Sequence, residues 1–125
     1  MTREDFIAKV VEPRLAHCKE VLHAKGQEYV REGDNAYNFK RAAAIRGVNV
    51  FTALDGMFNK HLVSMLDLMD GAKEGILPSP KMLDAKVTDL INYVLLWEGL
   101  VYEARDETLT TWNFEERGGN NGNNV

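Results

Sequence analysis

Asp89 and Asn92 stand one helical turn apart near the start of KVTDLINYVLLWEGLVY, residues 86–102, a stretch that is otherwise apolar nearly all the way round. A buried polar group without a partner costs on the order of a few kcal/mol, so a carboxylate and an amide here need a cation, a donor or a ligand opposite them. Asp67, on the preceding apolar segment, is the acid placed to face Asp89. Two such carboxylates between antiparallel helices suit Mg²⁺, which keeps several waters and bridges to phosphate oxygens. The plainer account of Asp89 is an acid favoured by the positive end of its helix dipole, an effect that fades within the first turns.

Lys60, Ser64 and Asp67 follow at i, i+4 and i+7 and share one helix face, with His61 beside them. Together they form a candidate phosphate grip, against the alternative of a solvated polar stripe with His61 packed at the core edge near Phe58 and Met65. His17 and His23 lie on different faces and make no chelate. A third group runs through Lys25, Gly26, Gln27, Glu28 and Tyr29, then Asn38, Phe39, Lys40 and Arg41. Its aromatics suit stacking on a base or ribose and its cations suit phosphate, or else they are aromatics in a bundle corner with ordinary surface lysines.

The elements that position these residues are helical. Thr2 caps a start with Glu4 and Asp5 in the first turn, and Phe6, Ile7, Val10, Val11, Leu15, Cys18, Val21 and Leu22 recur at helical spacing. Pro13 interrupts that run, predicting either a kink or a second helix opening there. Lys25-Gly26 supplies a stop signal, with helix as far as Tyr29 the alternative. After a break at residues 32–36, a short helix ends at Gly47. The next is capped by Asn49 or Thr52, carries Phe51, Leu54, Phe58, Leu62, Met65 and Met69 on one stripe, and closes near Asp70-Gly71. Ser79-Pro80 opens the last helix, which runs to about residue 104. No strand pattern and no repeat occurs. The expectation is an all-α bundle of four to five helices over residues 1–106, completed by oligomerisation because the last helix is too apolar for so few neighbours to cover. Residues 107–125 form a tail that loses periodicity and ends in a Gly/Asn run; Trp112 and Phe114 within it are expected to dock on this chain or a copy.

Composition bounds the partners. With 125 residues and a net charge of −4, the chain lacks the basic face that a long nucleic acid needs, although a few local cations suffice for a small phosphorylated ligand. Its single cysteine, Cys18, excludes an internal disulfide and reads as a small core residue. No apolar run reaches a membrane span and no leader pattern is visible, so the cytoplasm is the expected compartment. Gly-rich phosphate loops, Ser-His-Asp or Cys-His arrangements and Cys/His metal motifs are not found.

The blocks Lys25-Gly-x-Glu28-Tyr29, Asn38-Phe39, Lys60-His61 and Asp89-Leu90-x-Asn92-Tyr93 resemble a family of small phage proteins called nucleotide-modification-associated. That family is distantly similar to the MazG-like all-α nucleoside triphosphate pyrophosphatases. The resemblance covers residues 25–100, about three-fifths of the chain. It implies a nucleotide ligand contacted by Lys25, Glu28, Tyr29, Asn38, Phe39, Lys40, Lys60, His61, Ser64, Lys86, Asn92 and Tyr93, and a metal, if any, at Asp67 and Asp89. MazG-like enzymes hold Mg²⁺ with a Glu-Glu-x-x-Glu block and a Glu-x-x-Asp block. Here Asp89 matches the final acid, but Lys86 stands where the acid before it belongs, and only Asp67 and Asp70 remain on the preceding helix. A lysine there repels a cation and favours phosphate.

Three functions remain open on this reading. The favoured one is a nucleotide-binding protein on a degraded metal site, acting as a phage-encoded trap for a nucleotide or cyclic nucleotide immune signal in the host cytosol. The second is a Mg²⁺-dependent nucleotide pyrophosphohydrolase or modification accessory enzyme, with Glu28 a candidate third acid. The third is a helical module that inhibits a host protein.

Overall fold

Thr2 opens the first helix by accepting the Asp5 N–H on its hydroxyl at 3.0 Å, which satisfies one of the donors that every helix start leaves unpaired. In the computed structural model, residues 1–29 and 33–105 are described, apart from the side chains of Glu28 and Tyr29; the tail with Trp112 and Phe114 lies outside the described residues. Helix α1 (Arg3–Phe6) passes through a π-helical segment (Ile7–Val11) into α2 (Glu12–Tyr29). Pro13 falls in the first turn of α2, where a proline is tolerated. Because its nitrogen donates no hydrogen bond, the turn before it widens, and the Glu12 N–H reaches back five residues to the Ile7 carbonyl. Gly26 is not a stop, and α2 takes the alternative course to Tyr29.

Helix α3 (Tyr37–Arg46) ends at Gly47, whose left-handed φ of 66° is the conformation that glycine adopts without penalty. Helix α4 (Val50–Lys73) is capped by Asn49, whose side chain accepts the Phe51 N–H at 2.7 Å. It passes through Gly71 and closes a turn later than the sequence suggests, just before Gly75 at φ 83°. Helix α5 (Pro80–Ala104) starts as expected, with Ser79 accepting the Met82 N–H at 3.1 Å and Pro80 in the first turn. No strand occurs among the described residues, so the fold is all-α.

The six-residue connection between α4 and α5 makes them an antiparallel hairpin, and α3 lies along α4. Helix α2 packs on the other side of α5 and runs parallel to it: Arg14 meets Asp84 and Thr88, and one turn later Cys18 meets Asn92. The core gathers Ala36, Phe39, Leu54 and Leu100, with Phe51, Phe58, Tyr93 and Leu96 against it. Leu54 is 1 % exposed, and Cys18 is buried, as its type predicts.

Two apolar stripes depart from expectation. Phe6, Ile7, Val10 and Leu15 are exposed rather than core, because α1 and the π segment pack chiefly on each other and on α2. The α4 stripe runs out at Met69, also exposed. Helix α5 buries Thr88, Asn92, Leu100 and Tyr102, whereas Val94, Leu95 and Trp97 face outward, Trp97 being 50 % exposed. A single copy therefore leaves much of this helix uncovered.

Candidate functional site

Asn92 is the residue around which the site is built. It is 5 % exposed and faces α2, where its Nδ2 donates to the main-chain carbonyl of Cys18 at 3.2 Å. That bond fixes the orientation of the amide, since the flipped arrangement would set oxygen against oxygen. Asn92 Oδ1 is consequently turned elsewhere, and it is buried without a hydrogen-bond partner. One turn earlier, Asp89 places a carboxylate oxygen 3.6 Å from His61 Nδ1 on α4.

His61 packs at a tilt against Tyr93, with ring centroids 4.4 Å apart and planes inclined by 38°. Tyr93 in turn meets Phe39 edge-on at 6.0 Å. Three rings from α4, α5 and α3 thus form one continuous wall. Burial holds the His61 imidazole below its usual pKa; Asp89 pulls it upward, while Lys60, Lys25 and Lys86 push it further down. Those lysines come from α4, α2 and α5, so the imidazole feels positive charge from three helices. Neutral imidazole is the form such a site favours.

Beside this group a cleft of about 240 Å³ opens between α2, α3 and α5. Lys25 stands at its rim with Asn35 and Asn38; Phe39, Tyr93, Asp89 and Asn92 line it further in. Aromatic faces, amides and a carboxylate inside, with cations outside, make a cavity suited to a small molecule that has a flat polar part and an anionic part.

Most residues singled out from the sequence meet here. Lys25, Asn38, Phe39, Asp89, Asn92 and Tyr93 line the cleft, while His61 packs against its wall residues Asp89 and Tyr93 and feels the charges of Lys60 and Lys86. Ser64 is half-buried one turn along α4 from Lys60. Glu28 and Tyr29 close α2 near Lys25, and their side chains are outside the described set. Lys40 is elsewhere. It bridges Asp34, at 2.8 Å, and Glu103, which raises its own pKa and, with the Ala36 N–H, lowers that of Asp34. These solvent-exposed ion pairs link residues 34–36 to the end of α5, away from the cleft.

Asp67 does not join Asp89. It is exposed on α4, and the partner of Asp89 is His61. Among the described residues no three His, Cys, Asp or Glu side chains gather closely enough to hold a metal ion. Neither Asp67 nor Asp89 therefore belongs to a group of three such side chains among the described residues.

Arg14 has a larger part than its sequence position suggests. Its guanidinium meets Asp84 at 2.7 Å and donates to the buried Thr88 hydroxyl at 3.1 Å, pinning α2 in register with α5 so that Cys18 falls opposite Asn92. Arg14 and Thr88 are separated by 74 residues in the chain, and nothing local signals the contact.

Fold and site together define a small all-α protein with a cation-rimmed cleft between parallel helices. Compared with protein families, curated proteins and solved structures, the chain matches none. No helix among the described residues is long and apolar enough to cross a membrane.

Proposed function

We propose that this chain is a nucleotide-binding protein that captures its ligand in the α2–α3–α5 cleft rather than hydrolysing it. The observation that carries the reading is a cleft whose inner wall is aromatic and amide-bearing and which Lys25 lines, with Lys60 and Lys86 also acting on the charge of the neighbouring His61. The lysines supply charge for phosphates, and Tyr93 and Phe39 supply faces for a base. Capture is favoured over hydrolysis because phosphoanhydride cleavage of the MazG-like kind calls for several carboxylates around Mg²⁺, whereas no group of three His, Cys, Asp or Glu side chains gathers among the described residues.

The resemblance to phage nucleotide-modification-associated proteins carries the rest of the reading: a trap in the host cytosol that withdraws a nucleotide or cyclic nucleotide signal from an immune pathway. The outward Val94, Leu95 and Trp97 support a homo-oligomer, since a second copy would cover them.

Calorimetric titration with a panel of nucleoside mono-, di- and triphosphates and cyclic oligonucleotides is the test. Saturable binding that weakens in Lys60→Ala and in Lys86→Ala is expected, and absence of heat with every member would refute the proposal. Release of pyrophosphate from a triphosphate with Mg²⁺, abolished by Asp89→Asn, would instead establish the enzymatic alternative. Light scattering of the eluted peak measures the number of copies.

A further inference from the structure

The connection between α4 and α5 holds two large aliphatic side chains out in solvent. Ile76 and Leu77 are 66 % and 78 % exposed, although the Ile76 N–H is fixed to the Gly71 carbonyl at 2.9 Å. At the opposite end of the same hairpin, Phe51, Phe58, Val94 and Trp97 border an apolar groove of about 270 Å³. Between the two ends each helix carries a regular seam. On α5, Leu83, Val87, Leu90, Val94, Trp97 and Val101 follow at alternating steps of four and three, and none is buried. That spacing keeps one stripe turned toward a neighbouring helix along its whole length. It lies opposite the side of Thr88 and Asn92, which α2 covers. On α4, Asp55, Asn59, Leu62, Leu66, Met69 and Lys73 repeat the same steps, apolar in the middle and oppositely charged at the ends. Asp55, Val94 and Trp97 all border the groove, so both seams open on one side of the hairpin.

We propose that two copies of this chain pair through that face, about a two-fold axis that crosses α4 between Leu62 and Leu66. The inference rests on the homo-oligomer part of the reading above and is independent of the nucleotide. The axis reverses helix direction, so α4 meets α4 and α5 meets α5 antiparallel in a four-helix bundle. It sets Leu62 against Leu66 of the second copy and Asp55 against Lys73 of the second copy, twice each, because both pairs are centred on residue 64. Lys73 is free to turn, since its contact with Asp70 at 3.4 Å is a solvated pair worth little. The same rotation carries Ile76 and Leu77 of each copy to the groove of the other, so the protruding end meets the end that has space. At a rise of 1.5 Å per residue and two helix spacings across, the face measures about 27 Å by 18 Å and buries roughly 1,000 Å² over both copies, the size at which an interface becomes specific. The nucleotide cleft, on the α2 side of α5, stays open in each copy.

Sedimentation equilibrium of the whole chain tests this. The unaltered protein should have the mass of two copies, and Leu66→Glu should have the mass of one at the same concentration, with an unchanged circular dichroism spectrum because Leu66 is exposed. Asp55→Lys and Lys73→Asp, each of which puts like charges together at both ends of the pair, should raise the dimer dissociation constant about tenfold. Mixed together, these two variants should pair with each other in preference to themselves, since opposite charges then meet at both ends. That mixing experiment decides the matter if Leu66→Glu does not fold. A dimer that survives Leu66→Glu unweakened, or charge variants that mix at random, would overturn the inference while leaving self-association intact. A single-copy mass at every concentration would overturn it together with the homo-oligomer, leaving the face to the chain's own tail or to another protein and nucleotide binding untouched.

Discussion

Replacing Asn92 by leucine should leave the ligand-free protein as stable as before or more so, although the residue is buried and makes the hydrogen bond that links α2 to α5. The substitution removes one amide–carbonyl bond, worth a net of about 0.5–1.5 kcal/mol. It also removes the unpartnered Oδ1, whose desolvation costs about 1–3 kcal/mol. Cys18 O loses only its side-chain donor, since within α2 it remains available to the helix's own ladder. The leucine methyls fill a similar volume and add apolar contact beside Val21, Leu22 and Leu96, which line the same cleft. The balance is a gain of about 0–2 kcal/mol, readable as a raised urea midpoint at unchanged slope. In the same experiment Asn92→Asp should be destabilising, because it sets an unpaired charge against Cys18 O and one turn from Asp89. A loss of more than about 2 kcal/mol in Asn92→Leu would refute the reasoning, for it would mean that Oδ1 is satisfied in solution and the amide is a structural strut. A gain would mark Asn92 as a residue kept at the expense of stability.

The remaining predictions concern other parts of the chain. His61 is held below its usual pKa, so the unfolded chain takes up this proton first: its contribution to stability is complete above about pH 6.5 and declines as pH falls toward the folded value. Thermal melts between pH 5.5 and 7.5 should therefore fall more steeply for the native sequence than for His61→Gln, and parallel curves would contradict the assignment. Leu54→Ala should cost about 2–5 kcal/mol in denaturant titration because the side chain is 1 % exposed at the centre of the core. Gly47→Ala should cost about 1 kcal/mol from backbone strain alone, as φ is 66° and nothing lies within 4 Å of an added Cβ. Lys40→Met should barely move the melt, its partners being largely solvated, yet it should speed hydrogen exchange at the Ala36 N–H, which is bound to Asp34.

Much of the scaffold is legible in the sequence because it is written in local signals. Thr2, Asn49 and Ser79 act as caps through their own side chains, and Gly47 stops α3 through its backbone freedom. Asp89 and Asn92 advertise themselves by polarity in an apolar helix, and the cleft confirms that they face a cavity. What the sequence conceals is long-range. Whether Lys40 is available to a ligand depends on Glu103, and whether Asp67 pairs with Asp89 depends on how α4 rotates against α5. The exposed stripe of Phe6, Ile7 and Val10 has core periodicity, but periodicity states which residues share a face and not whether anything covers it. Pro13 signals a kink or a helix start through its missing donor, but the π-helical turn that precedes α2 has no sequence signal of its own.

The parallel pairing of α2 with α5 also has a kinetic side. Cys18 and Asn92 are separated by 74 residues, so neither wall of the cleft exists until both ends of that loop have closed. During synthesis the α4–α5 hairpin can zip up from neighbouring contacts, while α2 must wait for α5 to leave the ribosome before it docks. A molecule gripped from both sides would fasten the loop after closure, slowing its reopening and shielding the α2 amides from exchange in proportion to occupancy.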